Sequence, residues 1–350
     1  MEQSNKGLCR DMLETVDIIK NFNAFSQDMV SLSKTVRKSN KLFLTGEGSS
    51  RIFPAKQAIS IARQRGYSVV LHTEGACQAQ LYQLESWNVI GVSNSGRTAE
   101  VIQLFQKLVQ TTSRRSKVAS ASLTAFSDTK LQSLADQGFV LNCGKENAVA
   151  ATKSVVEQAL FLQLLIELVE ESDDDGVDAI ANLSLGKRLP ALATSFDKAL
   201  RSKIPDDIIE KLTNCPRFYF AGFNDGVAEE LTLKTNEITR KPSNYLEGTY
   251  AVHGVEEAMN AEDALIWIDP PESQEEKFYE TLVKNVGIYV VAISSRETRF
   301  PTLKYENVDD LNGYVALAMG WNLLVRVGTS LGIDIDKPQR ARKVGNEFKQ

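Results

Sequence analysis

The chain has 350 residues, 43% of them hydrophobic, and a formal net charge of −5. A chain of this length buries a sizeable core and forms two domains or one long α/β unit. The weak negative charge, without clusters of Lys and Arg among aromatic residues, argues against nucleic acid or membrane surfaces as partners and favours a small molecule.

The cysteines and the termini give no sign of export or metal binding. The four cysteines are widely separated and form no Cys-x-x-Cys pair, which is typical of reduced thiols. The N-terminus leads into charged residues, so no signal peptide is predicted and a cytoplasmic location is expected. The longest apolar segment, Ala159 to Val169, contains Gln163 and Glu167 and is too short to cross a bilayer. No cofactor or metal is expected.

The first 142 residues alternate between helix and strand patterns. Helical spacing over residues 8–37 predicts a helix, within an N-terminal helical segment over 1–40. An apolar strand at 41–44 breaks into Gly46-Glu47-Gly48-Ser49-Ser50, and a helix through residues 52–62 follows. Further strands are predicted at 69–71, 88–93, 117–125 and 139–142. Helices between strands imply a parallel sheet with its ligand at the carboxyl ends of the strands.

The most informative stretch runs from Val89 to Ile102. A β-branched strand ends in a hydroxyl-rich loop with one glycine, and a helix begins after it. Such a loop presents backbone N–H groups and the positive end of the helix dipole, and Ser93, Ser95 and Thr98 add hydroxyl donors. Plain helix capping is the alternative, but capping needs one hydroxyl and three are present. We therefore predict a phosphate site.

The domain boundary is predicted from a polar run over 171–176, which follows a long helix over 153–171. This gives a first domain over 41–172, a linker over 173–190 and a second domain over 191–350. The second half repeats the first, because the intervals from Gly46 to Ser93 and from Gly222 to Asp269 are both 47 residues. The second loop, at 269–273, carries acids and lacks the glycine, so only the first copy is expected to bind an anion.

Four segments, in order, resemble the tandem sugar-isomerase (SIS) domain family, and especially the isomerase half of glutamine:fructose-6-phosphate amidotransferase. They are Ser93–Thr98 (S-x-S-G-x-T), Glu146–Lys153 (E-x-x-V-A-S-T-K), Glu229–Ile238, and Asp336-Lys337-Pro338 with Lys343. The resemblance implies an α/β fold of two tandem flavodoxin-like modules, each a mostly parallel sheet flanked by helices. It also implies a homodimer with sites shared between subunits.

The resemblance implies a site divided between the two modules. Phosphate contacts are assigned to Ser50, Ser93, Asn94, Ser95 and Thr98, and sugar contacts to Ser49, the backbone near Val149, and Ala151. The base is expected at Glu237, the ring-opening histidine at His253, and lysines that assist catalysis at Lys234 and Lys343. Proton transfer between C1 and C2 suits a partly buried carboxylate, and ring opening near neutral pH suits an imidazole. Taken singly, these residues are typical of a solvated ion pair, a structural histidine and a surface lysine.

Departures from the family pattern leave the substrate open. The glutamate and proline of G-E-x-x-H-G-P are absent around His253, Ala151 replaces a serine, and Glu47 adds an acid near a phosphate corner. We expect an enzyme that opens a 6-phosphorylated aminosugar or ketose and interconverts C1 and C2 functions with gain or loss of an amine. Glutamine is not expected to be the direct amide source, because no cysteine follows Met1. The alternatives are a fructosamine-6-phosphate deglycase and a non-catalytic sugar-phosphate-binding regulator.

Overall fold

The computed structural model describes residues 6–24, 26–111, 119–171 and 183–349. The chain divides into two compact units. The first module comprises residues 17–146, 151–190 and 341–350, and the second module comprises residues 1–16, 147–150 and 191–340. The first 16 residues of the predicted N-terminal segment group with the second module, and residues 341–350 of the predicted second domain group with the first module.

The first module contains a five-stranded parallel sheet. Its strands are β1 (Lys41–Gly46), β2 (Val70–Gly75), β3 (Asn88–Val92), β4 (Ser120–Thr124) and β5 (Gln137–Val140). Their order is β2-β1-β3-β4-β5, which is the flavodoxin-like order. All five residues of β3 are buried, as expected for a central strand covered on both faces. Parts of two predicted features, the strand at 117–125 and the polar run at 171–176, lie outside the described residues.

Helices pack on this sheet. They are α2 (Gln27–Ser39), α3 (Ile52–Gln64), the short α4 (Ala76–Ala79), α5 (Ala99–Thr111) and α6 (Lys153–Glu171). The helix α6 is buried from residue 153 to residue 169, which agrees with its long apolar sequence. A Cβ on Gly91 of β3 would lie 2.4 Å from the Phe105 ring of α5, so glycine permits the close packing of helix on strand.

The predicted single helix over 8–37 is wrong. Two helices are present, α1 (Gly7–Lys20) and α2, and the second begins at its own cap, where Ser26 Oγ accepts a hydrogen bond of 3.2 Å from the Met29 backbone N–H. An N-cap of this kind starts a new helix and interrupts the apolar spacing. The strand predicted at 69–71 extends to Gly75, and the strand predicted at 139–142 spans residues 137–140.

The second module repeats the topology of the first. Its strands are β6 (Phe218–Gly222), β7 (Ser243–Glu247), β8 (Ala264–Ile268), β9 (Tyr289–Ser294) and β10 (Thr302–Lys304). The order β7-β6-β8-β9-β10 is the order of the first sheet, with β6 in the place of β1 and β8 in the place of β3. The internal repeat predicted from the 47-residue intervals is therefore present in the fold.

The remaining α-helices are α7 (Ser184–Arg201), α8 (Asp206–Asn214), α9 (Val227–Ile238), α10 (Glu272–Phe278) and α11 (Asn312–Ser330), and a π-helix, Tyr279–Val286, follows α10. The helix α7 begins inside the predicted linker over 173–190, which is a correction. Leu185, Leu189, Leu192 and Phe196 recur at helical spacing and are buried, and this stabilises the helix. The helices α9 and α11 approach closely at Gly320, where a Cβ would lie 2.4 Å from the Leu231 side chain.

Candidate functional site

The loop between β3 and α5 is tightly curled. Ser93 is buried, and its hydroxyl is 2.8 Å from the hydroxyl of Thr98. The Gly96 N–H donates to the Ser93 carbonyl at 3.0 Å, and the Arg97 N–H donates to Ser95 Oγ at 3.2 Å. One hydroxyl of the Ser93–Thr98 pair donates to the other, so the second keeps a proton that can be donated elsewhere.

Glycine is required at the centre of this loop. Gly96 has φ +62°, and a Cβ on it would lie 2.4 Å from the Thr129 side chain. The left-handed conformation turns the chain from the strand into α5 and keeps Ser93 and Thr98 within hydrogen-bond distance. The hydroxyls of Ser93 and Thr98 thus bond to each other within the loop, and Thr129 packs closely against Gly96.

The corner after β1 lies beside this loop. Gly46 pairs with Val92 in the sheet, and a Cβ on Gly46 would lie 2.8 Å from the Val92 carbonyl oxygen, so glycine allows the corner to approach β3. Ser49 and Ser50 follow in a half-buried 3-10 turn. Glu47 accepts a hydrogen bond of 2.9 Å from the Cys77 backbone N–H. In sheets of this order, ligands generally bind at the switch point, between the strands that occupy the positions of β1 and β3.

The buried carboxylate of Glu146, the first residue of the motif Glu146–Lys153, connects the loop to the rest of the first module. Its Oε1 accepts from the backbone N–H groups of Thr152, at 2.8 Å, and Ser154, at 3.2 Å. Its Oε2 accepts from Asn94 Nδ2 at 3.1 Å, Ser154 Oγ at 3.0 Å and Lys343 Nζ at 3.0 Å. The Glu146 side chain is 0% exposed, and the Lys343 side chain is 36% exposed.

The charge of Glu146 follows from these contacts. Burial by itself raises the pKa of the Glu146 carboxyl. The charge of Lys343 and the hydrogen bonds from Lys343 and the two backbone N–H groups outweigh burial, and the pKa falls below its ordinary value. Glu146 is therefore a carboxylate at neutral pH and holds the Lys343 ammonium beside Asn94.

The C-terminal residues pair with the loop itself. The Ala99 N–H donates to the Asn346 carbonyl at 3.0 Å, and the Phe348 N–H donates to the Arg97 carbonyl at 2.9 Å. Glu347 forms an antiparallel bridge with Thr98 and a 2.8 Å ion pair with Arg97. We call residues 346–348 the strap. The strap keeps the chain that carries Lys343 next to the predicted phosphate loop.

Unsatisfied polar atoms and a pocket lie near this loop. The side-chain oxygen Oδ1 of Asn94 and the hydroxyl of Thr152 are buried and have no hydrogen-bond partner within the described ranges. A pocket of about 470 Å³ is lined by Ser95, Arg97, Ile102, Phe126, Asp128, Thr129, Lys130 and Phe348. The first module thus brings together Ser93, Asn94, Ser95, Thr98 and Lys343, whereas Ala151 is half-buried just before α6.

The second module contains the other predicted catalytic residues. On α9, Lys234 Nζ lies 2.9 Å from Glu237 Oε2 and 3.0 Å from Glu230 Oε1. The side chains of Lys234 and Glu230 are 0% exposed, and that of Glu237 is 24% exposed. Burial lowers the pKa of Lys234, but the charges of the two glutamates outweigh it and hold the pKa above its ordinary value. The pair is not the solvated ion pair that the spacing alone suggests.

His253 and Val149 also belong to the second module. His253 is exposed and follows the 3-10 turn Tyr250–Val252, and its backbone N–H donates to the Tyr250 carbonyl at 3.1 Å. Val149 is half-buried. Among the described residues, no group of three or more His, Cys, Asp or Glu side chains is arranged to hold a metal ion. No described helix is long and apolar enough to cross a membrane.

A family model of the SIS domain matches most of the first module. Residues 35–168 match the SIS domain family. A glutamine–fructose-6-phosphate aminotransferase (isomerizing) of Streptococcus pyogenes is 26% identical over 215 residues, which is 60% of this chain. The match spans 34% of that relative, so the chain corresponds to about a third of its length.

Solved structures share the fold over almost the whole chain. The C-terminal domain of glucosamine-fructose-6-phosphate aminotransferase from Francisella tularensis has a TM-score of 0.76 at 17% identity, and covers 97% of this chain and 99% of its own. Tagatose-6-phosphate ketose/aldose isomerase from Escherichia coli has a TM-score of 0.72 at 16% identity, with 95% and 96% covered. Glucosamine-6-phosphate deaminase from Thermotoga maritima has a TM-score of 0.67 at 18% identity, with 95% and 99% covered. At these identities, the similarity to the solved structures shows the fold alone, which is two flavodoxin-like modules.

Proposed function

We propose that the chain is an isomerase-type enzyme acting on a 6-phosphorylated aminosugar or ketose. The observation that carries this proposal is the loop of residues 93–98 in the SIS domain, where the hydroxyls of Ser93 and Thr98 meet at 2.8 Å at the start of α5. Backbone N–H groups, hydroxyls and the helix dipole at such a place favour a dianion. The similar proteins named above act on sugar phosphates, which supports the same ligand class here.

The remaining groups of the first module suit the sugar. The unsatisfied side-chain oxygen Oδ1 of Asn94 can accept a hydrogen bond from a hydroxyl or amine of the ligand. Lys343, held on Glu146, provides a cation beside that amide. Ser49, Ser50 and the segment around Ala151 complete the set proposed in the first module. The backbone near Val149, in the second module, is also proposed to contact the sugar.

The chemical step is assigned to the second module. Glu237 is partly exposed and ionically paired, so its carboxylate can remove a proton from one of C1 and C2 and return it to the other. Lys234 holds that carboxylate in place. His253 is exposed and can move a proton at the ring oxygen when the sugar opens. In this proposal two copies of the chain form a homodimer that shares its sites, and the protein is cytoplasmic.

Proton exchange tests the proposal without prior choice of the product. The purified chain is incubated in D2O with fructose 6-phosphate, glucosamine 6-phosphate or a fructosamine 6-phosphate, and NMR follows deuterium at C1 and C2 together with released ammonia or amine. Deuterium incorporation that Glu237→Gln abolishes, and that the control Glu229→Gln keeps, supports the enzyme. Release of an amino compound from fructosamine 6-phosphate indicates the deglycase. Tight binding of all three without exchange indicates the regulator and contradicts the proposal.

A further inference from the structure

A second carboxylate, Glu230, accompanies the proposed base and has no role in the chemistry assigned above. Glu230 lies one turn before Lys234 on α9, and Lys234 Nζ is 3.0 Å from Glu230 Oε1 and 2.9 Å from Glu237 Oε2. Glu230 and Lys234 are 0% exposed, whereas Glu237 is 24% exposed. One buried ammonium is therefore shared by a buried carboxylate and a carboxylate that reaches solvent.

The neighbouring elements bring few other charges. The helix α9 packs against α11, β6, β7 and β8. The ionisable groups on these elements are Arg326 and Tyr314 on α11, Tyr219 on β6, and Tyr245 and Glu247 on β7. Arg326 donates to Asn322 at 3.2 Å, and Tyr245 donates to the Phe223 carbonyl at 3.1 Å. The charges that act on the pKa of Lys234 are those of Glu230 and Glu237.

The arrangement determines what happens when Glu237 takes up a proton. With Glu230 present, a protonated Glu237 leaves behind a neutral pair of Lys234 and Glu230. Without Glu230, a protonated Glu237 would leave a buried ammonium without its carboxylate partners, which is strongly unfavourable. The protonated form of Glu237 is the form that a base must reach in the middle of the reaction.

We propose that Glu230 is a positioning residue that retains the Lys234 ammonium and so allows Glu237 to accept and return a proton. The inference rests on the proposed role of Glu237 as the base. It adds that the protonation of Glu237 depends on a carboxylate that does not touch the substrate. Its test does not require turnover.

The experiment is a pH titration of Glu237 by NMR. The chain is labelled with glutamate carrying 13C at the side-chain carboxyl, and the Glu237 signal is assigned as the one lost in Glu237→Gln. The titration is compared in the wild-type chain, in Glu230→Gln, and in the control Glu229→Gln, which removes one charge from the same turn of α9. We expect Glu230→Gln to move the midpoint of the Glu237 titration to lower pH, because the Lys234 ammonium then acts on Glu237 alone, and Glu229→Gln to move it much less.

Two outcomes overturn the proposal. One is a folded Glu230→Gln chain in which Glu237 titrates as in the control. If Glu230→Gln does not fold, the titration is measured in Glu230→Asp, which retains the charge but withdraws it from Lys234, and a smaller shift of the Glu237 titration in the same direction is expected. The second outcome that overturns the proposal is no shift of the Glu237 titration in Glu230→Asp. If the wild-type chain shows no proton exchange on any sugar phosphate, the proposed function fails while the titration still decides the role of Glu230.

Discussion

Replacement of Glu146 by glutamine tests whether this buried carboxylate holds the strap on the phosphate loop. The amide retains an oxygen for the N–H groups of Thr152 and Ser154, which now bond to Oε1. Its NH2 group then faces Asn94 Nδ2 and Lys343 Nζ, both of which are donors. The two hydrogen bonds that Asn94 and Lys343 donate to the Glu146 carboxylate are lost, and the new NH2 group faces these two donors.

The expected loss of free energy follows from the contacts of Glu146 with Asn94 and Lys343. A hydrogen bond to a charged group contributes about 1.5 to 3 kcal/mol, and the lower value applies to Lys343 because water can replace its partner. We take about 2 to 3 kcal/mol for the opening of the strap. At about 1.4 kcal/mol for each tenfold change, the opening equilibrium rises roughly 30- to 150-fold.

Hydrogen exchange at single amides measures this opening. The Ala99 N–H, bonded to Asn346, and the Phe348 N–H, bonded to Arg97, report the strap directly. Both amides are expected to exchange roughly 30 to 150 times faster in Glu146→Gln. The control Ser154→Ala removes one hydroxyl bond from the same carboxylate and leaves its charge, so an increase of about tenfold at most is expected. Unchanged exchange of Ala99 and Phe348 in Glu146→Gln would refute the reasoning.

Further predictions follow from the same contacts. Because the pKa of Glu146 is lower in the folded chain, its stabilising effect is complete above its ordinary value and is lost as the pH falls through the lowered value. The protection of the strap amides, measured relative to unstructured amides at each pH, should fall only there. Lys234→Met leaves Glu230 as an unpaired buried carboxylate and should lower the free energy of unfolding in urea by about 3 to 5 kcal/mol; a loss below about 1 kcal/mol contradicts the buried pairing. Glu237→Gln should abolish turnover and leave the calorimetric affinity for a sugar phosphate almost unchanged; normal turnover would exclude Glu237 as the base. Gly96→Ala should weaken that affinity, because φ +62° and the Thr129 contact resist a Cβ; wild-type affinity would argue against the loop.

Much of the sheet was predictable because central strands of parallel sheets are continuous apolar runs. Residues 89–92 and 264–268 are such runs, and the strands that contain them, β3 and β8, are entirely buried. The edge strand β2 was predicted too short, since its residues 72–75 are exposed or half-buried and show no apolar run. The beginning of α7 was not predicted, because the preceding run of acidic residues is typical of a linker, although Leu185, Leu189 and Leu192 recur at helical spacing.

The site was only partly predictable, for a physical reason. The residues of the loop at 93–98 are neighbours in sequence, so their hydroxyl pattern is visible there. Glu146 and Lys343 are 197 positions apart, and their contact depends on the fold that brings the strap to the loop. Glu146 was visible in the sequence only as the first residue of the motif Glu146–Lys153, seven positions before α6, and nothing there indicated its contact with Lys343. Glu230 carried the signal of a second acid at i−4 from Lys234, but its burial could not be foreseen.

The central claim is that the loop at 93–98 binds the phosphate of a sugar. Calorimetric titration of fructose 6-phosphate and of fructose, against the wild-type chain, Ser95→Ala and the control Ser60→Ala on α3, tests it most directly. We predict that only the phosphorylated sugar binds, that Ser95→Ala weakens binding about tenfold or more, and that Ser60→Ala does not. Equal affinity for both sugars, or full affinity in Ser95→Ala, would contradict the claim.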